Sequence, residues 1–131
     1  MRIPDNIYRL LREVKYYQLA TSSKSGTPNV CTVGAIYEKS NDRIIIVDNY
    51  FNKTIKNILE NPKVSILFRK DYECFQIKGK CEYKNRGGLY KKVKRWQKAK
   101  SKEYPAKGII IIKPTNCYDS RPGKNAGKEI E

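Results

Sequence analysis

The chain has 131 residues, enough for one domain built around one buried core. It carries 28 Lys/Arg against 13 Asp/Glu, a net charge of +15, and contains no histidine. The missing imidazole excludes a histidine general base, a Ser-His or Cys-His pair and a histidine haem ligand; chemistry near neutral pH falls to a cofactor, a perturbed Lys or Tyr, or a carboxylate.

The opening segment from Pro4 to Val14 reads as an amphipathic helix, with Ile7, Leu10, Leu11 and Val14 at helical spacing and Pro4 suited to a first turn. A strand from Tyr16 to Ser22 ends in the turn Lys24-Ser25-Gly26-Thr27-Pro28, where Gly and Pro supply a tight reversal. A second strand covers Asn29 to Glu38 and a third Arg43 to Val47, joined by Ser40-Asn41-Asp42. The period then changes. Ile55, Ile58 and Leu59 share a helical face, Asn52 is placed to cap the start, and Pro62 forbids continuation. Two further strands, Lys63 to Arg69 and Glu73 to Tyr83, are followed by a helix from Leu89 to Lys102. Its apolar stripe is Leu89, Val93 and Trp96, and its other face is nearly all Lys and Arg. Lys107 to Lys113 is the last strand, and Pro114 to Glu131 reads as an extended C-terminal arm. The sum is a single mainly β domain, residues 1–131, with three inserted helices and six strands in a Greek-key-like barrel; residues 1–14 form its N-terminal helix.

Cys31, Cys74, Cys81 and Cys117 form no C-x-x-C pair and read as reduced thiols with no metal site. No run reaches the roughly 18 apolar residues of a membrane span, and the first residues lack the apolar stretch of a secretory signal. A soluble cytoplasmic protein without a membrane partner is expected. The positive charge is uneven: Lys78 to Lys107 holds twelve Lys/Arg against Glu82 and Glu103. The lysines around the Leu89/Val93/Trp96 stripe read as a solvated face, and nucleic acid is not the expected partner.

Val47-Asp48-Asn49-Tyr50-Phe51-Asn52-Lys53-Thr54 joins a buried strand to a helix start. Unpaired helix N–H groups beside a lysine and a threonine make a compact phosphate site; the alternative is an ordinary capping turn with a solvated Lys53.

Three strings in order bear on that choice: Leu19-Ala20-Thr21 with Gly26-Thr27-Pro28-Asn29-Val30, then Lys53-Thr54-Ile55-Lys56-Asn57-Ile58 with Asn61-Pro62, then Phe75-Gln76-Ile77-Lys78-Gly79-Lys80. Over roughly Tyr8 to Lys113 the chain resembles the pyridoxamine 5′-phosphate oxidase-like, FMN-binding split β-barrel family, in particular its small FMN-binding members. The resemblance implies a homodimer with FMN between the subunits. Lys53 and Thr54 would hold the phosphate. Thr32, Val33 and Gly34 would lie along the ribityl chain and ring, and backbone groups of Val47, Asp48 and Asn49 would face the polar edge of the flavin. Tyr104 of the partner would pack on the ring. Cys31 falls in the flavin-lining strand, and Asp48 sets a charge beside it. No residue is assigned to the substrate-phosphate contacts of the full-length oxidases, and none is assigned as catalytic. The implied function is an FMN-dependent oxidoreductase or electron carrier with an unnamed electron donor or acceptor. The alternatives are a deazaflavin reductase of the same fold, a flavin store, or a basic nucleic-acid-binding module.

Overall fold

The computed structural model describes residues 1–131. In chain order the elements are α1 (Asp5–Glu13), β1 (Tyr17–Ser22), β2 (Pro28–Val33), β3 (Ile36–Lys39), β4 (Ile44–Asp48), α2 (Lys53–Glu60), β5 (Lys63–Lys70), β6 (Glu73–Lys84), α3 (Gly88–Lys100), β7 (Gly108–Asp119) and β8 (Glu129–Ile130). All neighbouring strands pair antiparallel in one sheet of order β2-β1-β5-β6-β7-β4-β3, with β8 on β7.

That order explains the shape. β2 and β3 stand at opposite ends of the sheet, yet only Gly34 and Ala35 separate them in the chain. A link of two residues spans at most about 7–10 Å, so the sheet must curl until its two ends meet. They meet without pairing, which leaves a half-barrel split along the β2/β3 seam. The mainly β split barrel with three helices is therefore present, its six expected strands appearing as seven segments and β8 adding an eighth. One expected strand, Asn29 to Glu38, is divided at Gly34–Ala35, because the chain leaves partner β1 for partner β4 there.

The C-terminal arm is the larger correction. Pro114 does not end the last strand; β7 runs on to Asp119, and Cys117 and Tyr118 pair with Ile130 and Glu129 of β8. Proline lacks an N–H, but here it sits at a break in register opposite Lys78 and Gly79, where a bulge relieves the ladder of that donor. Gly79 is needed at the same place, since a Cβ there would lie 2.7 Å from the Lys113 carbonyl oxygen. At α2, Asn52 occupies the N-cap position without making a side-chain capping bond.

The barrel interior is one apolar cluster to which α1 contributes Ile7, Leu10 and Leu11, β1 Leu19, β4 Ile44 and Ile46, and β6 Phe75 and Ile77. On the outer face of β4 and β7, Ile45, Val47, Ile109 and Ile111 meet Val93 of α3. Those two strands are covered on both faces, which is why Ile44–Val47 and Gly108–Ile112 are continuous apolar runs. No helix is long and apolar enough to cross a membrane.

Candidate functional site: a cleft at the barrel seam

A cleft of about 640 Å³ opens where the barrel is split. Its floor is the seam itself, Cys31 to Ile36; one wall is Val47 and Asn49–Phe51 after β4, and the other is Trp96, Gln97, Lys100 and Ser101 from the end of α3, with Tyr16 and Tyr104 at the edges. The volume is that of a pocket for a medium-sized organic ligand. Aromatic and aliphatic side chains make up most of its lining, and Lys100 is the one charged side chain among the lining residues.

Internal hydrogen bonds set its shape. Asn49 is buried; its Nδ2 donates to Gln97 Oε1 at 3.2 Å, and its Oδ1 accepts from the Ala106 N–H at 3.0 Å. Ala106 holds a φ of +46°, unfavourable for a residue with a Cβ. Its carbonyl accepts from the Tyr90 hydroxyl at 2.7 Å, so both sides of the strained residue are pinned and the preceding Tyr104–Pro105 segment is fixed at the cleft edge. Tyr104 meets Tyr50 edge-on, with ring centroids 6.1 Å apart. Trp96 meets Tyr37 at 5.2 Å in the same manner, while Lys100 Nζ lies 4.4 Å from the Trp96 ring centre. Gly34 gives the floor its clearance: a Cβ there would come within 3.1 Å of the Tyr16 ring.

Of the residues singled out in the sequence, Thr32, Val33, Gly34, Val47, Asn49 and Tyr104 come together around this cleft. Tyr104 does so in its own chain. Asp48, Lys53 and Thr54 lie outside the lining. The Asp48 carboxylate is buried and turned away: Oδ2 accepts from the Tyr83 hydroxyl at 2.7 Å, Oδ1 accepts from the Phe51 N–H at 3.1 Å, and Lys107 Nζ is 3.9 Å away. Burial and the neighbouring carboxylate push the Tyr83 phenol well above its ordinary range. Two backbone groups expected to face a flavin are already bonded, the Val47 N–H to the Ala35 carbonyl and the Asp48 carbonyl to the Lys107 N–H, each at 2.8 Å.

Thr54 is buried behind the floor. Its Oγ1 accepts from Asn29 Nδ2 at 3.1 Å, and Asn29 and Asn57 both donate to Thr21 Oγ1, at 3.2 and 3.0 Å. Cys31 connects this network to the cleft, since it lines the cleft and its Sγ is 3.4 Å from Thr54 Oγ1. Lys53 is exposed at the first turn of α2 and forms no ion pair.

Sequence reasoning missed Tyr16, Tyr50, Phe51, Gln97, Lys100 and Ser101, and read Trp96 only as packing. One signal was available: Gln97 falls four residues after Val93 on the buried side of α3, and a polar residue placed there needs a partner, which is Asn49.

The arrangement suits a planar ring with a polar or anionic end. The aromatic walls and seam floor suit the ring, and Lys100 is the cation that the lining itself offers to an anion. Comparison with known proteins bears on the fold and the family. A family model described as pyridoxamine 5′-phosphate oxidase matches residues 3–121. The chain is 40% identical over 116 residues to the uncharacterized protein MJ0282 of Methanocaldococcus jannaschii, covering 86% of this chain and 77% of that protein. Among solved structures it resembles HupZ of Group A Streptococcus, with TM-score 0.78 and 23% identity over 95% of this chain and 99% of that one. It also resembles an FMN-binding protein of Syntrophomonas wolfei, with TM-score 0.63 and 19% identity over 82% and 78%. An F420 reductase and the heme storage protein HutZ of Vibrio cholerae share the fold, at TM-scores of 0.67 and 0.69. At these identities the solved structures speak for the fold. The family match spans nearly all of it, and the chain belongs to the pyridoxamine 5′-phosphate oxidase family.

Proposed function

We propose that this chain is an FMN-binding flavoprotein of the cytoplasm, an oxidoreductase or flavin-linked electron carrier, that holds FMN in the seam cleft of a homodimer. The observation that carries the reading is the cleft: aromatic-walled, of ligand size, at the split of the barrel and one residue's depth from the start of α2. Bound FMN supplies hydride and single-electron transfer.

The chain's own residues bind and orient. Lys53 meets the phosphate dianion as a free cation at the helix start, and Thr54 shapes the same corner from beneath. Thr32, Val33 and Gly34 run along the ribityl chain and ring. Because the Val47 N–H and the Asp48 carbonyl are already bonded, the contact of that segment with the polar edge of the flavin falls to the backbone of Asn49. Tyr104 closes the ring face, from its own subunit or from the partner.

FMN titration of the purified protein tests this. Quenching of flavin fluorescence with a saturable endpoint is expected, and a colourless protein indifferent to FMN would sink the reading. Lys53→Ala is expected to weaken FMN about 10- to 100-fold, the worth of one charge-assisted contact, with an unchanged melting temperature. The F420 reductase neighbour supports a second reading, a deazaflavin in the same cleft; preferential binding of F420 over FMN would favour it. A haem in this chain would draw its protein ligand from Tyr, Cys or Met, since histidine is absent, and a Soret band on adding hemin would reveal it.

A further inference from the structure

The cationic face of α3 is not accounted for by the folding of the helix. At 3.6 residues per turn, Lys91, Lys92, Lys94, Arg95 and Lys98 fall on one face about 160° wide, opposite Val93 and Gln97. The helix contains no acidic residue, and none of its cations forms an ion pair. Lys91 and Arg95, and Lys94 and Lys98, are like charges four residues apart, a spacing that weakens a helix. Lys91 and Lys92 also stand near the N-terminal end, where the helix dipole disfavours cations. Local stability argues against this pattern, so its use lies in what approaches from outside.

We propose that the outer face of α3 is a docking surface for an acidic protein, the electron donor or acceptor of the neighbouring cleft. The last turn of the same helix supplies Trp96, Gln97 and Lys100 to the cleft wall, so a partner seated on the lysines lies beside the cleft mouth. Electron-transfer partners commonly meet through small interfaces steered by opposite charge. A second copy of this chain is a poor occupant, because it would bring the same positive charge. A single-stranded nucleic acid is also disfavoured: the aromatics that would stack on bases are engaged, Tyr90 bonding the Ala106 carbonyl with Lys94 over its ring, and Trp96 packing on Tyr37 with Lys100 over its ring. The choice of a redox partner rests on the flavin reading; the docking of an acidic protein does not.

Titration of the isotope-labelled full chain with a small acidic iron–sulfur ferredoxin, followed by NMR, tests the surface. Shifts centred on residues 91–98 are expected, weakening steeply as salt is raised. The variant Lys91→Glu with Lys94→Glu turns two repulsive pairs into attractive Glu–Arg and Glu–Lys pairs, so it should fold with equal or greater thermal stability. It should bind ferredoxin at least about tenfold more weakly and keep its FMN affinity. Equal ferredoxin binding by the variant, or shifts elsewhere, would overturn the proposal. Tighter binding of a short DNA duplex to the same face would overturn it in favour of nucleic acid. If FMN fails to bind but ferredoxin docks on α3, the flavin reading falls and the acidic-protein surface stands.

Discussion

Gly108, the first residue of β7, owes its identity to Tyr83 of the neighbouring strand β6. A Cβ built on it would lie 2.3 Å from the Tyr83 hydroxyl oxygen and 2.4 Å from Cζ, far inside contact distance, so Gly108→Ala must push the ring aside. The displaced hydroxyl can no longer donate to Asp48 Oδ2, leaving a buried carboxylate with only the Phe51 N–H and a distant Lys107. Loss of a hydrogen bond to a buried charged group costs about 1.5–3 kcal/mol, and overpacking adds about 1–3 kcal/mol. Together these give about 2.5–6 kcal/mol of a domain stability that is itself about 5–15 kcal/mol. In urea the midpoint should fall by at least about 1 M. Tyr83→Phe should cost only the hydrogen-bond share, about 1.5–3 kcal/mol. The double variant should resemble Gly108→Ala within about 0.5 kcal/mol, because the ring carbon still clashes and the bond can be lost only once. The consequence reaches the cleft, since Asp48 holds the turn that carries Asn49, Tyr50 and Phe51; FMN affinity should drop with Gly108→Ala. A Gly108→Ala protein as stable as the parent, or strictly additive costs, would refute this account.

Further outcomes follow from the same geometry. Asn49→Ala removes the bonds to Gln97 and to the Ala106 N–H and should cost about 2 kcal/mol in a denaturant titration; a neutral result would mean that Ala106 keeps its positive φ without help. Thr54→Val deletes one of two acceptors for the Asn29 amide and should cost about 1 kcal/mol, visible as a lower melting temperature. Tyr17 and Tyr83 both have phenols held above the ordinary value of 10 by burial. The folded state keeps these protons when the unfolded chain releases them, so stability should be full below pH 10 and decline above it. Tyr83→Phe should flatten that decline, and an unchanged slope would count against the burial of its hydroxyl. Sedimentation with FMN bound should give a dimer, and a flavin-bound monomer would contradict the proposed subunit arrangement.

Much of the architecture is legible before any coordinates. Ile7, Leu10 and Leu11 announce α1, the change of period at Asn52 announces α2, and the runs Ile44–Val47 and Ile109–Ile112 announce strands. Local signals are enough there, because periodicity and turn chemistry act over a few residues. They mislead where a partner strand decides. Pro114 looks like a terminator and is instead accommodated by a bulge opposite Gly79, a fact held by β6 and not by Pro114's neighbours. Gly34 and Ala35 look like the middle of a strand, yet they are the seam.

The site divides along the same line. From its sequence alone the chain reads as a basic, histidine-free β barrel whose motifs point to the flavin-binding family, and Thr32 to Gly34, Val47 and Asn49 are within reach of that reading. Only the tertiary structure brings the last turn of α3 and Tyr104 against the seam, turns Asp48 away toward Tyr83, and sets Thr54 behind Cys31. The physical reason is range. A strand or helix is specified by residues a few positions apart, whereas the cleft is closed by pairs such as Asn49 and Gln97, forty-eight positions apart, whose meeting depends on how the whole sheet curls.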